Sequence, residues 1–278
     1  MPFLQTSATT LIRFEKQVSV SSQINLRREA VSLAERIVSS QPDVEFFKSP
    51  FQHLILNDAF TLELSNLCLQ HFPSLSDDCW EFSSIPGIEI KARSTWTSEF
   101  DSPEGIVDAI RILNSAPILR AMSERFEIPK LMPDPYFTGG GLNCSSFGGQ
   151  LDVHVDGNYH DASGMHRRMN AILYLNPSYQ SEWGGEFGIY KDDGETLVKT
   201  VEPLHNRLVV FESHDKSYHG IPNQIRFPDD EPRRSIILYF YTAKPRPKDV
   251  TTVEEPHSAL WKSKGFTDKL GNVTRDFT

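Results

Sequence analysis

Three side chains in this sequence could hold a metal. In the stretch LDVHVDGN (151–158), His154 and Asp156 stand two apart among Leu151, Val153 and Val155. In a strand that spacing puts both on one face. A second imidazole brought alongside would complete two nitrogens and one carboxylate oxygen on one side of an ion. That is the facial triad of non-heme Fe(II) sites, and it leaves coordination positions open for other molecules. His219, in KSYHGI, is the candidate for the second imidazole. His214, in ESHDKS, is a rival in a more polar turn. The pair also has a plain explanation: Asp152 lies on the same face two residues before His154, and the three could form a solvated polar stripe.

Two further runs carry residues suited to binding an anion. In RRSIILYFYT, a period of two puts Arg233, Ser235, Ile237 and Tyr239 on one face and Arg234, Ile236, Leu238 and Phe240 on the other. An arginine pointing into a β-sandwich is costly without an anion partner. A dicarboxylate would supply one through a bidentate pair, with the Ser235 hydroxyl assisting. Both arginines could equally be surface charges beside PDDE (228–231). In RMNAILYLN, alternation puts Arg168, Asn170, Ile172 and Tyr174 together. The Tyr174 hydroxyl and the Asn170 amide could bind a carboxylate or a substrate, or Tyr174 could simply be core. Tyr159, His160 and His166 read as loop residues at a site mouth, Trp183 and Phe187 as core, and Glu186 as a solvated strand-edge carboxylate.

The elements that must position these residues fall into three parts. Residues 1–135 read as a helical lead-in with a few short strands. INLRREAVSLAERIVSS has helical spacing, PFQHLILNDAF has a β-prone centre at His53–Leu56, and TLELSNLCLQHF returns to helix before Pro73. DSPEGIVDAIRILNSAPILRAMSERF opens with Ser102 as the expected N-cap and breaks near Ser115 and Pro117. Residues 136–243 alternate β-rich runs with turn clusters such as Gly148-Gly149, Gly184-Gly185 and Asp193-Gly194. About eight short strands are expected there, as in an all-β sandwich or double-sheet jelly roll. Residues 244–278 read as a polar surface tail anchored by Leu260 and Trp261. The expectation is a single unit, 1–278, with helices packed on a β-sandwich.

Composition narrows the partners. The chain has 278 residues, is 38% hydrophobic and 23% charged, and carries a net charge of −9, as a globular domain with no nucleic-acid footprint would. No apolar run is long enough for a membrane span, and MPFLQTSATTLIRFEKQ lacks the pattern of a secretory signal. Three widely spaced cysteines, Cys68, Cys79 and Cys144, suggest neither disulfides nor a zinc site, and point to a reducing cytoplasm.

LDVHVDGN, RRMNAILYLN, GGEFGIY, NRLVVFESHDKSYHGI and RRSIILYFY, in that order over roughly residues 140–243, resemble the 2-oxoglutarate- and Fe(II)-dependent oxygenases of the prolyl-4-hydroxylase-like group. PFQHLILNDAF and HFPSL also resemble the helical lead-in of bacterial members. The resemblance implies an α+β fold with a double-stranded β-helix (jelly-roll) core flanked by N-terminal helices. It implies iron ligands at His154, Asp156 and His219. It further implies that Arg233 and Tyr174 hold the distal carboxylate of 2-oxoglutarate, with Ser235 beside them and Asn170 on the cosubstrate or substrate wall. Many members place a tyrosine upstream of the first ligand, where this chain offers Asn143, Cys144 and Phe147. The implied activity is a dioxygenase: it consumes Fe(II)-bound dioxygen and 2-oxoglutarate, releases succinate and carbon dioxide, and hydroxylates an unactivated C–H bond of a small molecule, amino acid or peptidyl residue. The Asp156 carboxylate fits hydroxylation, because halogenases of related fold lack it. The rivals are a cupin-like metal-binding protein or isomerase without 2-oxoglutarate chemistry, and a non-catalytic interaction module. Asp152 is assigned no role.

Overall fold

The computed structural model describes residues 24–274. The opening segment read for a targeting signal and residues 275–278 of the tail lie outside them. The helices are α1 (Leu26–Val38), α2 (Leu62–Gln70), α3 (Ile106–Leu113) and α4 (Ala116–Arg125). The strands of the first part are β1 (Val44–Phe47), β2 (His53–Leu56), β3 (Trp80–Ile85), β4 (Glu89–Ser94) and β5 (Met132–Pro133). Then come β6 (Gly141–Ser145), β7 (Gln150–Leu151), β8 (His154–Val155), β9 (His166–Tyr174), β10 (Phe187–Tyr190) and β11 (Leu197–Val201). The chain closes with β12 (Arg207–Glu212), β13 (His219–Gly220), β14 (Arg233–Thr242) and β15 (Leu260–Trp261).

Two antiparallel sheets result. The larger runs β1-β2-β12-β9-β14-β6-β4-β3, with β5 and β7 at its margins, and the smaller runs β11-β10-β13-β8-β15. The central strands of the larger sheet are buried on both faces, and strand alternation sorts their side chains into two cores. Leu173, Leu208, Val210, Ile236, Leu238 and Phe240 pack with the helices. Ile172, Tyr174, Val209 and Phe211 point the other way and meet Phe187 and Ile189 of the smaller sheet. The architecture is therefore a helix layer on a two-sheet jelly roll. Truncating Leu173 or Leu238 to alanine would cost about 2–5 kcal/mol through the cavity left behind.

Local signals account for most boundaries. Asn25 caps α1 through its side chain and Thr61 caps α2. Ser115 and a proline in the first turn open α4. Ser102 is not the helix cap expected of it. It ends a short 3₁₀ turn, Glu99–Asp101, that Ser98 caps. The following helix, α3, starts four residues after Ser102, behind Gly105 at φ 75°. A Cβ at Gly105 would lie 2.9 Å from Leu67 Cγ, so the chain enters α3 where it touches α2 and only glycine fits.

The C-terminal part is anchored at Leu260 and Trp261, as expected, but it is more than a surface tail. Leu260 and Trp261 pair with Val155 and His154 as the edge strand β15 of the smaller sheet. Arg246, 6% exposed, donates to Asp215 at 2.6 Å and to the Arg167 carbonyl at 2.9 Å. His257 Nε2 lies 3.2 Å from the same Asp215. Burial alone would raise the Asp215 carboxyl, but His257, Arg246 and the Thr252 and Val253 amides hold it well below the usual range. A buried carboxylate thus ties the last thirty or so described residues to the jelly roll.

Candidate active site

His154 in β8 and His219 in β13 sit directly opposite each other in the smaller sheet, and Asp156 follows β8 by one residue. His154 Nε2 is 3.7 Å from Asp156 Oδ1, and His219 Nε2 is 3.5 Å from Asp156 Oδ2. The three ligand atoms lie within 4.8 Å of one another, and all three residues are buried. His214 is not among them; its Nδ1 accepts from the Lys216 amide and its ring meets Phe51 edge-on.

Both imidazoles are oriented by the same device. Nδ1 of His154 faces the carbonyl of Asp152 at 2.8 Å, and Nδ1 of His219 faces that of Ser217 at 2.9 Å. A carbonyl only accepts, so each Nδ1 carries the proton and each Nε2 presents its lone pair. Burial, reinforced by His219, holds His154 down at about 3, and burial lowers His219 as well. Both rings are therefore neutral near pH 7, the form a metal requires. Asp152, given no role above, supplies the carbonyl that fixes the His154 tautomer.

Asp156 is oriented too. Asn170 donates to its Oδ2 at 2.6 Å, and Arg167 Nη2 stands 3.2 Å from Oδ1. Arg167 Nε donates to Asn170 Oδ1 at 3.0 Å and closes the triangle. Burial alone would raise this carboxyl, but Arg167 above all, then the two imidazoles and Asn170, keep it ionised well below its usual range. Two neutral imidazoles with free Nε2 lone pairs, converging on one carboxylate, fit Fe(II) with open positions.

Asn170 lines the cavity, and there its amide is engaged with Asp156 and Arg167. Arg168 departs from the face that alternation gives it. Between β9 and β14 the pairing steps from Phe240↔Met169 to Tyr241↔Arg167, so Arg168 is the extra residue of a bulge. The bulge turns Arg167 into the cavity, its guanidinium 3.4 Å from the Tyr239 ring centroid. Arg168 is left beside Glu212 at 3.6 Å. A strict period of two cannot find this, although the RR pair marks where one residue of slip matters.

The anion pocket lies deeper in the same cavity. Register sets Asn143, Ser235 and Tyr174 in one row across β6, β14 and β9. Arg233, 8% exposed, donates from Nε to the Gly185 carbonyl at 2.8 Å and from Nη2 to the Tyr174 hydroxyl at 3.4 Å. Burial pushes the Tyr174 phenol up, so its O–H stays protonated and free to donate. Ser235 Oγ and Asn143 Nδ2 are buried without a hydrogen-bond partner among the described residues. Orphaned donors beside a buried guanidinium are the complement of a small carboxylate. Of the three residues upstream of His154, Asn143 lines this cavity, Cys144 packs in the helix-side core, and Phe147 is 70% exposed.

The metal-ligand and anion groups line one cavity of about 1160 Å³, larger than the ~300–1,000 Å³ usual for small-molecule sites. Its outer walls are the β3–β4 ribbon, including Lys91 and Arg93, and the C-terminal segment, including Trp261 and Lys269. Glu89 bridges the two walls by pairing with Lys269 and, at 3.0 Å, Lys91. Tyr159 lines the mouth as expected. His160 is instead 1% exposed, with Nε2 2.9 Å from Asp134, and His166 opens β9. Phe187 is core, as expected, and also lines the cavity.

Residues 140–241 match the 2OG-Fe(II) oxygenase superfamily. Among curated proteins, the chain is 34% identical over 86 residues to prolyl 3-hydroxylase OGFOD1 of Mus musculus, covering 30% of this chain and 15% of that protein. It is 32% identical over 106 residues to the Xenopus laevis counterpart, covering 35% and 20%. The chain thus spans a fifth or less of these relatives' lengths. Among solved structures, the fold resembles a prolyl hydroxylase from Trichoplax adhaerens in complex with a hypoxia-inducible-factor oxygen-degradation-domain peptide. The TM-score is 0.53 at 19% identity, covering 78% of this chain and 91% of that one.

Proposed function

We propose that this chain, whose residues 140–241 form a domain of the 2OG-Fe(II) oxygenase superfamily, is an Fe(II)- and 2-oxoglutarate-dependent dioxygenase that hydroxylates a prolyl residue in a peptide. The observation that carries the reading is the placement on one cavity of the His154–Asp156–His219 cluster and the Arg233–Tyr174–Ser235 pocket. A cupin-like metal protein would need the first and not the second.

The bound iron and cosubstrate would supply the oxidising power, with dioxygen, 2-oxoglutarate and a C–H bond giving succinate, carbon dioxide and a C–OH. The protein's own residues do the rest. His154, Asp156 and His219 would hold the ion. Arg233 would neutralise a carboxylate of the cosubstrate, and Tyr174, Ser235 and Asn143 would supply further donors to it. Phe187, Phe211 and Ile237 line the inner wall and keep water from the reacting end. Arg167 and Asn170 keep Asp156 ionised and aimed.

The peptidyl substrate is supported by the size of the cavity and by the prolyl hydroxylases among the relatives. The three free cysteines support a reducing, cytoplasmic setting. Among the described residues no helix is long and apolar enough to cross a membrane.

The test is anaerobic addition of Fe(II) and 2-oxoglutarate, read as a visible charge-transfer band, followed by succinate release on adding air and a library of proline-containing peptides. A band that His219→Ala and Arg233→Ala abolish is the expected result. A band unchanged in His154→Ala would sink the ligand assignment. Succinate release coupled to a free amino acid and to no peptide would overturn the substrate class.

A further inference from the structure

We infer that Trp261 is a positioning residue for His154, and that the C-terminal segment completes the metal centre by carrying it. The inference rests on the reading of His154, Asp156 and His219 as metal ligands. The two imidazoles are supported unequally. His219 is enclosed by jelly-roll aromatics, with Phe211 and Phe187 at centroid distances of 4.7 and 5.5 Å. His154 touches His219 on one side at 4.4 Å. On the other side its aromatic neighbour is Trp261, stacked at 4.5 Å with 27° between the planes.

That contact comes from main-chain pairing and not from a chance side-chain approach. Trp261 is the register partner of His154 in the β15–β8 pair. The Lys262 amide donates to the Val153 carbonyl at 2.8 Å, and the Ser263 amide donates to Asp152 Oδ2 at 2.7 Å. Residues 261–263 therefore fix both the plane of the His154 ring and the residue whose carbonyl holds Nδ1. Trp261 is itself held: its amide donates to the Thr267 carbonyl and its carbonyl accepts from the Phe266 amide, each at 2.8 Å. An imidazole has two torsions. The Asp152 carbonyl restrains the direction of Nδ1, and the indole face removes the tilt that remains. Loss of a group that orients a metal-bound histidine lowers metal affinity about 10–100-fold.

The experiment titrates the full chain with Co(II) in the presence of 2-oxoglutarate, reading affinity by calorimetry and tryptophan emission in parallel. Wild type should bind one Co(II) with quenching of emission. Trp261→Phe should bind within a few-fold of wild type and lose most of the quenching, because Trp80, Trp96 and Trp183 do not line the cavity. Trp261→Leu should bind about 10-fold or more weakly while keeping its far-UV spectrum and melting cooperatively. The leucine and phenylalanine variants both fill the site, so a purely structural role would move the melting temperature and leave Co(II) affinity alike. Equal affinity in wild type, Trp261→Phe and Trp261→Leu overturns the inference, as does quenching that survives Trp261→Phe. His154→Ala separates the two failures. If it binds Co(II) like wild type, the ligand reading fails and the inference with it. If it does not bind while Trp261→Leu binds normally, the inference alone fails.

Discussion

Replacing Arg233 by methionine should strengthen the ligand-free protein and disable its cosubstrate binding. Arg233 is buried, and among the described residues it forms no salt bridge; its partners are the Gly185 carbonyl and the Tyr174 hydroxyl. An unpaired buried cation is a liability. Apolar replacement of buried charge is neutral or stabilising by about 1–4 kcal/mol, less about 1 kcal/mol for the Gly185 carbonyl that loses its donor. A net gain of about 1 kcal/mol raises Tm by roughly 2–4 °C for a chain of this size. In the complex the sign reverses. Charge-assisted hydrogen bonds contribute about 1.5–3 kcal/mol each, so losing a two-pronged contact should weaken 2-oxoglutarate by roughly 10²–10⁴-fold. At a cosubstrate concentration of 100 times the wild-type Kd, wild type gains about 2.7 kcal/mol and the variant almost nothing. The melting order of the two proteins therefore inverts between the free and 2-oxoglutarate-loaded states. Differential scanning fluorimetry with Mn(II), with and without 2-oxoglutarate, reads both. Arg234→Met, on the opposite face of β14, is the control and should leave the 2-oxoglutarate shift intact. A variant that keeps the wild-type shift, or that is destabilised when free by more than about 2 kcal/mol, would falsify the assignment of Arg233 as an anion receptor awaiting its anion.

Other consequences follow from neighbouring contacts. Gly185 has φ 78°, and a Cβ there would sit 3.0 Å from Arg233 Cδ, so Gly185→Ala should cost about 1–3 kcal/mol and weaken 2-oxoglutarate with no polar group removed; unchanged affinity by calorimetry would refute it. Arg167→Met leaves the Asp156 carboxylate buried without its cation, which should destabilise the metal-free protein by about 3–5 kcal/mol. Mn(II) would restore positive charge there, so the melting shift on adding Mn(II) should exceed that of wild type, and an equal or smaller shift would count against Arg167 as the counter-ion. Glu89 gives a pH signature. Burial alone would raise it, but Lys91, Lys269 and Ser83 outweigh burial and hold it at about 2, below the ~4.3 of an unfolded chain. Its contribution, on the order of 2 kcal/mol after discounting for the part-exposed lysines, is complete above about pH 5 and fades as pH falls toward 2. The denaturant-midpoint difference between wild type and Glu89→Gln should shrink over that window; a constant difference would refute the linkage.

How far the sequence could be read depended on where each contact originates. The pairing of His154 with Asp156 and the face Arg233, Ser235, Ile237, Tyr239 follow from strand alternation, which is local and strict; that His219 joins them comes from the β13–β8 pairing, which the family resemblance implies and alternation does not. The helix breaks at Ser115 and before Pro73 are local as well. The misreadings are each non-local. Alternation gives the cavity face to Arg168, whereas the bulge that gives it to Arg167 depends on the partner strand β14 and not on the β9 sequence. Ser102 looked like a cap because nothing in the sequence shows α2 pressing against Gly105. Alternation does give the face on which Asn170 lies, whereas the neighbour that claims its amide, Asp156, comes from another element.

The C-terminal part was the hardest to read, and for a physical reason. Its segment pairs two residues with β8 and ends its long polar side chains on buried acids: Arg246 on Asp215, Lys269 on Glu89. Each of those residues has the composition of a surface loop, and the partner lies roughly 30 or 180 positions away in the chain. A polar residue looks solvated until its counter-charge is located. The same logic joins the two ends of the site. The acids and bases that hold the C-terminal segment in place carry Trp261 to the back of His154, and the β3–β4 ribbon carries Glu89 to meet Lys269. The cavity is thus closed from outside by charge and held from inside by strand pairing. A perturbation of the outer pair alone should change access to the cavity before it changes the metal centre within. Glu89→Gln is therefore expected to raise the apparent KM of a peptide substrate while leaving Co(II) affinity untouched, the reverse of the pattern expected for Trp261→Leu.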